Sequence, residues 1–201
     1  MTQAISDITT ALLSVDDDFG SKSRTIYLYD VVDGISMKQV IQEIESINAS
    51  DAEVEQQLVL KYGITPPRKP ILLDINTYGG VVYDGLALIA CIEQSKTPII
   101  TRVNGYAFSM GLTIFLAGHE RHMSRHGNLM YHQISSAVWG SLKEQEESLQ
   151  ISAGLQKQLE DYVIERTKWK RKDLKKIYNS KYDFYINSEQ ALADGFATKI
   201  I

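Results

Sequence analysis

The chain reads as an α/β domain built on a mostly parallel sheet, and three observations carry that reading. Short β-rich runs recur at Thr25–Tyr29, Ile71–Ile75 and Pro98–Val103. Between them lie stretches whose apolar residues fall at i, i+3 and i+4, the helical period. Glycine, proline and capping residues punctuate the junctions. Strands that alternate with helices pair in parallel, because each helical crossover returns the chain to the same end of the sheet.

Residues 1–23 are expected to form an N-terminal arm, mobile because Asp16-Asp-Asp-Phe-Gly-Ser-Lys-Ser23 is acidic and then small and polar. A domain is expected over 24–201. Its first strand starts at Thr25. Ser36 is expected to cap a helix with Met37, Val40, Ile41, Ile44 and Ile47 on one face. Residues 49–70 read as a polar insert with a short helix at Val54–Tyr62, closed by Gly63 and the Pro66, Pro67, Pro70 cluster. The strand Ile71–Ile75 leads into a glycine turn, Asn76-Thr-Tyr-Gly-Gly80, and a helix from about Val82 to Gln94. Strand 98–103 leads to Gly105-Tyr-Ala-Phe-Ser-Met-Gly111 and an apolar helix from Ser109 to Gly118. Two short strands are expected at Arg121–Ser124 and Asn128–Gln133. A long polar helix from about Leu142 to Lys168 carries only a thin apolar line, Leu149, Leu155, Leu159 and Val163. Such a helix is half-buried at most, so it is expected to project and pack on a partner subunit. A basic helix over 171–178, a helix at Ser188–Asp194 capped by Asn187 and Gly195, and a strand at Phe196–Ile201 complete the chain.

Composition narrows the function classes. The chain has 201 residues, 44% apolar and 23% charged, with a net charge of −4. That balance offers no basic field for nucleic acid or an anionic membrane. The N-terminus lacks a basic region and an unbroken apolar stretch, so it does not read as a secretion signal. No apolar run reaches the roughly 18 residues a membrane span needs. One cysteine, Cys91, excludes an internal disulfide framework and fits a reducing cytoplasm; its helical apolar setting reads as core.

Ser109 draws attention because it sits where a strand turns into a helix. Such a turn lifts a hydroxyl out of the packed layers, beside unpaired N–H groups and the positive end of a helix dipole. A nucleophilic serine needs that setting, but an ordinary helix N-cap has it too. A nucleophile also needs a base and an acid that orients the base. His132, in Leu129-Met-Tyr-His-Gln133, and Asp183, in Lys181-Tyr-Asp-Phe-Tyr-Ile186, are the candidates. His132 in an apolar run is also compatible with a satisfied core histidine. Gly79-Gly80 is either a tight turn or a close backbone approach to a reacting oxygen. His119, Glu120, His122 and His126 are crowded, but they match no metal-binding spacing and no cysteine lies nearby. No metal site and no cofactor are expected, and no phosphate-binding glycine motif is present.

Taken together, four segments resemble the proteolytic subunit of the Clp protease family. Asn76-Thr-Tyr-Gly-Gly-Val-Val-Tyr-Asp-Gly-Leu-Ala87 is similar to the family's N-S-P-G-G-x-V-x-x-G-L-A. Gly105-Tyr-Ala-Phe-Ser-Met-Gly111 is similar to G-x-A-A-S-M-G, and Met130-Tyr-His-Gln133 to M-I-H-Q. Tyr182-Asp-Phe-Tyr-Ile-Asn-Ser-Glu-Gln-Ala-Leu-Ala-Asp-Gly195 resembles the stretch that holds the acid. The resemblance covers about residues 24–201. It implies a crotonase/ClpP-like spiral of β-β-α units with a projecting handle helix, here about 142–168. It implies a catalytic triad of Ser109, His132 and Asp183, with the backbone N–H groups of Gly80 and Met110 as oxyanion hole. It further implies a serine endopeptidase acting in the chamber of a homo-oligomeric, heptameric ring, with two rings stacked through the handle helices. An AAA+ unfoldase ATPase would feed that chamber with unfolded polypeptide. Tyr78 and Ile134 stand where the family has prolines. The rival readings are an acyl-CoA enzyme on the same fold and a catalytically inactive ring subunit.

Overall fold

The computed structural model describes residues 23–180 and 182–201. The mobile arm expected over 1–23 therefore lies outside the described residues, save Ser23. Among the described residues, seven strands form one sheet. Its path runs β1 (Thr25–Leu28), β2 (Ile71–Thr77), β3 (Ile99–Phe108), β4 (Glu120–Met123) and β7 (Lys199–Ile200). Every pairing along that path is parallel, as the βα alternation dictates.

The long strand β3 is the fork of the sheet. Its first half, Ile100 to Val103, pairs with β4. Its second half, Tyr106 to Phe108, pairs with β5 (Asn128–Tyr131) instead. The antiparallel neighbour of β5 is β6 (Phe184–Asn187). The fork therefore brings the segments after β3, after β5 and before β6 to one place. β3 runs to Phe108, five residues beyond the strand expected from the β-rich run, because its far half finds a second partner in β5. No strand was expected at β6. Only Ile186 of its four residues is buried, so its period is too weak to read.

Helix α1 (Gly34–Tyr62) corrects two expectations. Asp33, not Ser36, is its N-cap: the carboxylate accepts from the N–H groups of Ile35 and Ser36, and the Ser36 hydroxyl accepts from the Asp33 N–H. The helix also does not break at 49–53. Asp51, 1% exposed, accepts a bidentate pair from Arg24 at 2.9 and 2.7 Å and a third bond from the Thr97 hydroxyl at 2.6 Å. A polar residue that suggested a loop thus ties mid-helix to the starts of β1 and β3, and tertiary contact overrides local propensity.

Helices α2 (Val82–Gln94) and α3 (Met110–Ala117) follow β2 and β3. All eight residues of α3 are buried; it packs between α2 and the long helix α4 (Leu142–Arg166). Cys91 on α2 is half-buried against the core, and burial pushes its thiol pKa up. In α4 only Val163 is buried, and Leu142, Leu149 and Ile151 stand exposed, as the thin apolar line predicts. Helices α5 (Arg171–Ser180) and α6 (Ser188–Ala193) complete the fold. Asn187 caps α6 as expected, whereas its C-cap is Asp194, with Gly195 just beyond at φ 80°.

Candidate active site

The chain leaves β3 at Phe108 and enters α3 at Met110, so Ser109 alone makes the turn. Its φ is 55° and ψ −120°, the only positive φ at a described non-glycine residue. This conformation costs a side-chain-bearing residue roughly 1–3 kcal/mol and persists only when the surroundings impose it. Here they do. The Ser109 N–H donates to the Met130 carbonyl at 2.9 Å, and the Ser109 carbonyl accepts from Leu112 at 3.1 Å. Behind it lies the wholly buried α3. The capping reading left open by the sequence fails on geometry: a cap residue has β-region angles and a side chain bonded to the helix N–H groups. Ser109 has neither.

The Ser109 hydroxyl instead faces His132, with 2.7 Å between Oγ and Nε2. His132 is the first residue past β5, and the β3–β5 pairing places it beside the turn. For Oγ–H to donate, Nε2 must be unprotonated, which puts the imidazole proton on Nδ1. Nδ1 faces Asp183 Oδ1 at 3.7 Å. That is ion-pair range but longer than a hydrogen bond. Asp183 precedes β6, and its side chain is 49% exposed. Four rings tie this region to the strand that ends beside Ser109: Tyr78 to Tyr106 at 4.5 Å between centroids, Tyr106 to Phe108 at 5.1 Å, and Phe108 to Tyr185 at 5.6 Å. Pairs of this kind contribute about 0.5–1.5 kcal/mol each.

The glycine turn packs directly on the serine turn. A Cβ on Gly79 would lie 2.8 Å from the Met110 nitrogen and 2.9 Å from Ser109 Cβ. A Cβ on Gly80, at φ 152°, would overlap the Val32 carbonyl oxygen. Only glycine permits both approaches. The turn is pinned by Val32 N–H to Gly79 O at 2.9 Å, Val81 N–H to Val32 O at 2.7 Å, and Gly79 N–H to the Thr77 hydroxyl at 3.1 Å. Among the described residues no acceptor takes the N–H of Gly80 or of Met110.

A cavity of about 260 Å³ opens beside Ser109 and His132. Val82, Met110, Met130 and Leu159 give it an apolar wall, and Gln156 enters it from α4. Sequence reading did not single out Gln156, because nothing marks one glutamine in a helix rich in Glu, Gln and Lys. Two of the crowded histidines are engaged apart from this site. His119 Nδ1 accepts the Ile99 N–H at 3.0 Å, and His122 Nε2 lies 2.8 Å from Glu120.

Comparison with known proteins agrees with this geometry. The Clp protease family model matches residues 21–201. The ATP-dependent Clp protease proteolytic subunit 1 of Prochlorococcus marinus subsp. pastoris is 27% identical over 187 residues, 90% of this chain and 84% of the relative. The protein of the same description from Protochlamydia amoebophila is 32% identical over 133 residues, 65% of this chain and 56% of the relative. A proteolytic subunit 2 from Bifidobacterium longum is 25% identical over 138 residues, 67% of this chain and 65% of the relative. The parallel α/β sheet, the serine turn and a family match over nearly the whole chain lead to one assignment: this chain belongs to the Clp protease family, as a divergent relative of its proteolytic subunits.

Proposed function

We propose that the chain is a serine endopeptidase subunit with Ser109 as nucleophile, His132 as base and Asp183 as orienting acid. The observation that carries this reading is the 2.7 Å contact between Ser109 Oγ and His132 Nε2 at an imposed positive φ. Ser109 Oγ attacks the peptide carbonyl carbon while His132 Nε2 takes its proton. The developing oxyanion is received by the N–H groups of Gly80 and Met110, which have no other acceptor among the described residues. Asp183 favours the Nδ1–H tautomer and the imidazolium that forms. His132 then gives the proton to the leaving amine, an acyl-enzyme remains, and a water activated by the same histidine releases it. The largely apolar cavity beside Ser109 suits an apolar side chain on the acyl side of the cut bond.

The family assembles as oligomeric rings served by ATPases. For this chain we extend that to a heptameric ring, stacked in pairs through the exposed apolar positions of α4, that receives unfolded polypeptide from an AAA+ unfoldase in the cytoplasm. Among the described residues no helix is long and apolar enough to cross a membrane. An acyl-CoA enzyme would use the two backbone N–H groups but has no need of a serine bonded to a histidine. Hydrolysis of a fluorogenic peptide with an apolar residue before the scissile bond, lost in Ser109→Ala with assembly intact, is the expected result. Equal hydrolysis by Ser109→Ala would overturn the assignment.

A further inference from the structure

We propose that Gln156 is a positioning residue for His132, acting through the residues on either side of it. The proposal rests on the triad reading above and deepens it. β5 ends at Tyr131, so His132 has a strand on one side only. From Gln133 to Trp139, among the described residues, the backbone makes one hydrogen bond, from the Ile134 N–H to Gln156 Oε1 at 2.8 Å. The same amide reaches the other flank, where Gln156 Nε2 donates to the Tyr131 hydroxyl at 3.2 Å. One side chain on α4 therefore grips the residue before His132 and the residue two after it.

The orientation of that amide follows from its partners. A backbone N–H only donates, so the carbonyl end must face Ile134 and the NH₂ end must face Tyr131. The NH₂ group also donates to Glu160 Oε1 at 3.0 Å. Its two protons are thus both committed, and its carbonyl already holds the Ile134 N–H. The amide lines the cavity but acts on its neighbours. Burial pushes the Tyr131 hydroxyl up to about 12, so it stays a neutral acceptor through the working pH range. The second Glu160 oxygen accepts from Arg171 at 2.7 Å, and Arg171 opens α5, the helix that leads to Asp183. The clamp compensates for a weak orienter: with Asp183 half-exposed and 3.7 Å away, the imidazole is aimed chiefly by its backbone. Small displacements of a base cost large factors in rate.

The test uses the assembled full chain and a fluorophosphonate probe, reading the second-order labelling rate against pH alongside native mass. Gln156→Met keeps the length of the side chain and removes every bond. Its labelling is expected to slow by about tenfold, with a displaced rate–pH profile. Gln156→Glu keeps an acceptor for Ile134 but faces the Glu160 carboxylate, so it is paired with Glu160→Gln, which restores a donor there; this double variant is expected to recover to within about threefold of the wild type. Should Gln156→Met fail to assemble, Tyr131→Phe decides, with an expected slowing of about threefold. A wild-type rate and profile in Gln156→Met, or in Tyr131→Phe if that variant has to decide, overturns the proposal. So does a Gln156→Glu, Glu160→Gln double variant that assembles and is as slow as Gln156→Met. A wild-type chain that is itself unlabelled as a full ring overturns the triad reading, and this proposal with it.

Discussion

Ser109 and Asp183 occupy opposite ends of a scale of constraint. Ser109 is held by backbone bonds on both sides, by a wholly buried helix and by two glycines packed against it. Asp183 is half-exposed, with no hydrogen bond to the histidine it faces. The difference teaches where this fold invests its packing. Ser109 and the backbone N–H groups of Gly80 and Met110 are built into the junction of sheet and helices, where strain can be imposed. Asp183 is carried on the approach to a short outer strand with one buried residue. The histidine sits between the two and takes its order from strand β5 and from α4.

The most severe break of the rigid end is Ser109→Gly. Loss of the proposed nucleophile is expected to lower peptide hydrolysis by at least about 10⁴-fold. Glycine adopts the φ of 55° freely, so the folded state gains about 1 kcal/mol in chemical unfolding. Ser109→Ala should match it in activity but not in stability. Next is Gly80→Ala, whose Cβ would overlap the Val32 carbonyl. Forcing that turn open would remove one of the two proposed oxyanion donors, and kcat is expected to fall about 10²–10³-fold with KM little changed. At the loose end, Asp183→Asn is expected to cost only about 10–10²-fold in kcat/KM, and less than His132→Ala. A loss near 10⁴-fold would show that Asp183 is as tightly held as Ser109 in the working enzyme, and the contrast would fail.

The smallest effect concerns Asp33, which anchors the segment behind the glycine turn. Hydrogen bonds from the Ser36 backbone and hydroxyl, with a lesser one from the Ile35 N–H, hold its carboxyl pKa below the usual value. A lowered folded pKa means that its stabilisation is fully present above the unfolded pKa and is lost as pH falls through the folded one. The thermal midpoint advantage of the wild type over Asp33→Asn should therefore be greatest near neutrality and vanish on acidification. An advantage that grew with acid would contradict the capping role.

The same contrast separates what the sequence shows from what it hides. The serine turn was legible because a β-run, small residues and an apolar helix leave few ways to place Ser109. The order of Ser109, His132 and Asp183 followed from motif resemblance, but their approach depends on β3 forking between β4 and β5, which no local pattern encodes. β6 was missed because exposed aromatics fill a strand with a single buried residue. The continuity of α1 was missed because Asp51 looks like a loop residue until Arg24 and Thr97 meet it. Gln156 was invisible for a related reason: its partners Tyr131 and Ile134 lie more than twenty residues away.

The most direct measurement is intact mass after reaction with a fluorophosphonate, on wild type and Ser109→Ala, with native mass taken on the same samples. The account predicts one adduct per subunit on the wild-type assembly, carried by Ser109, and none on the variant. Labelling that survives in Ser109→Ala, or a full wild-type ring that takes no adduct, would contradict it.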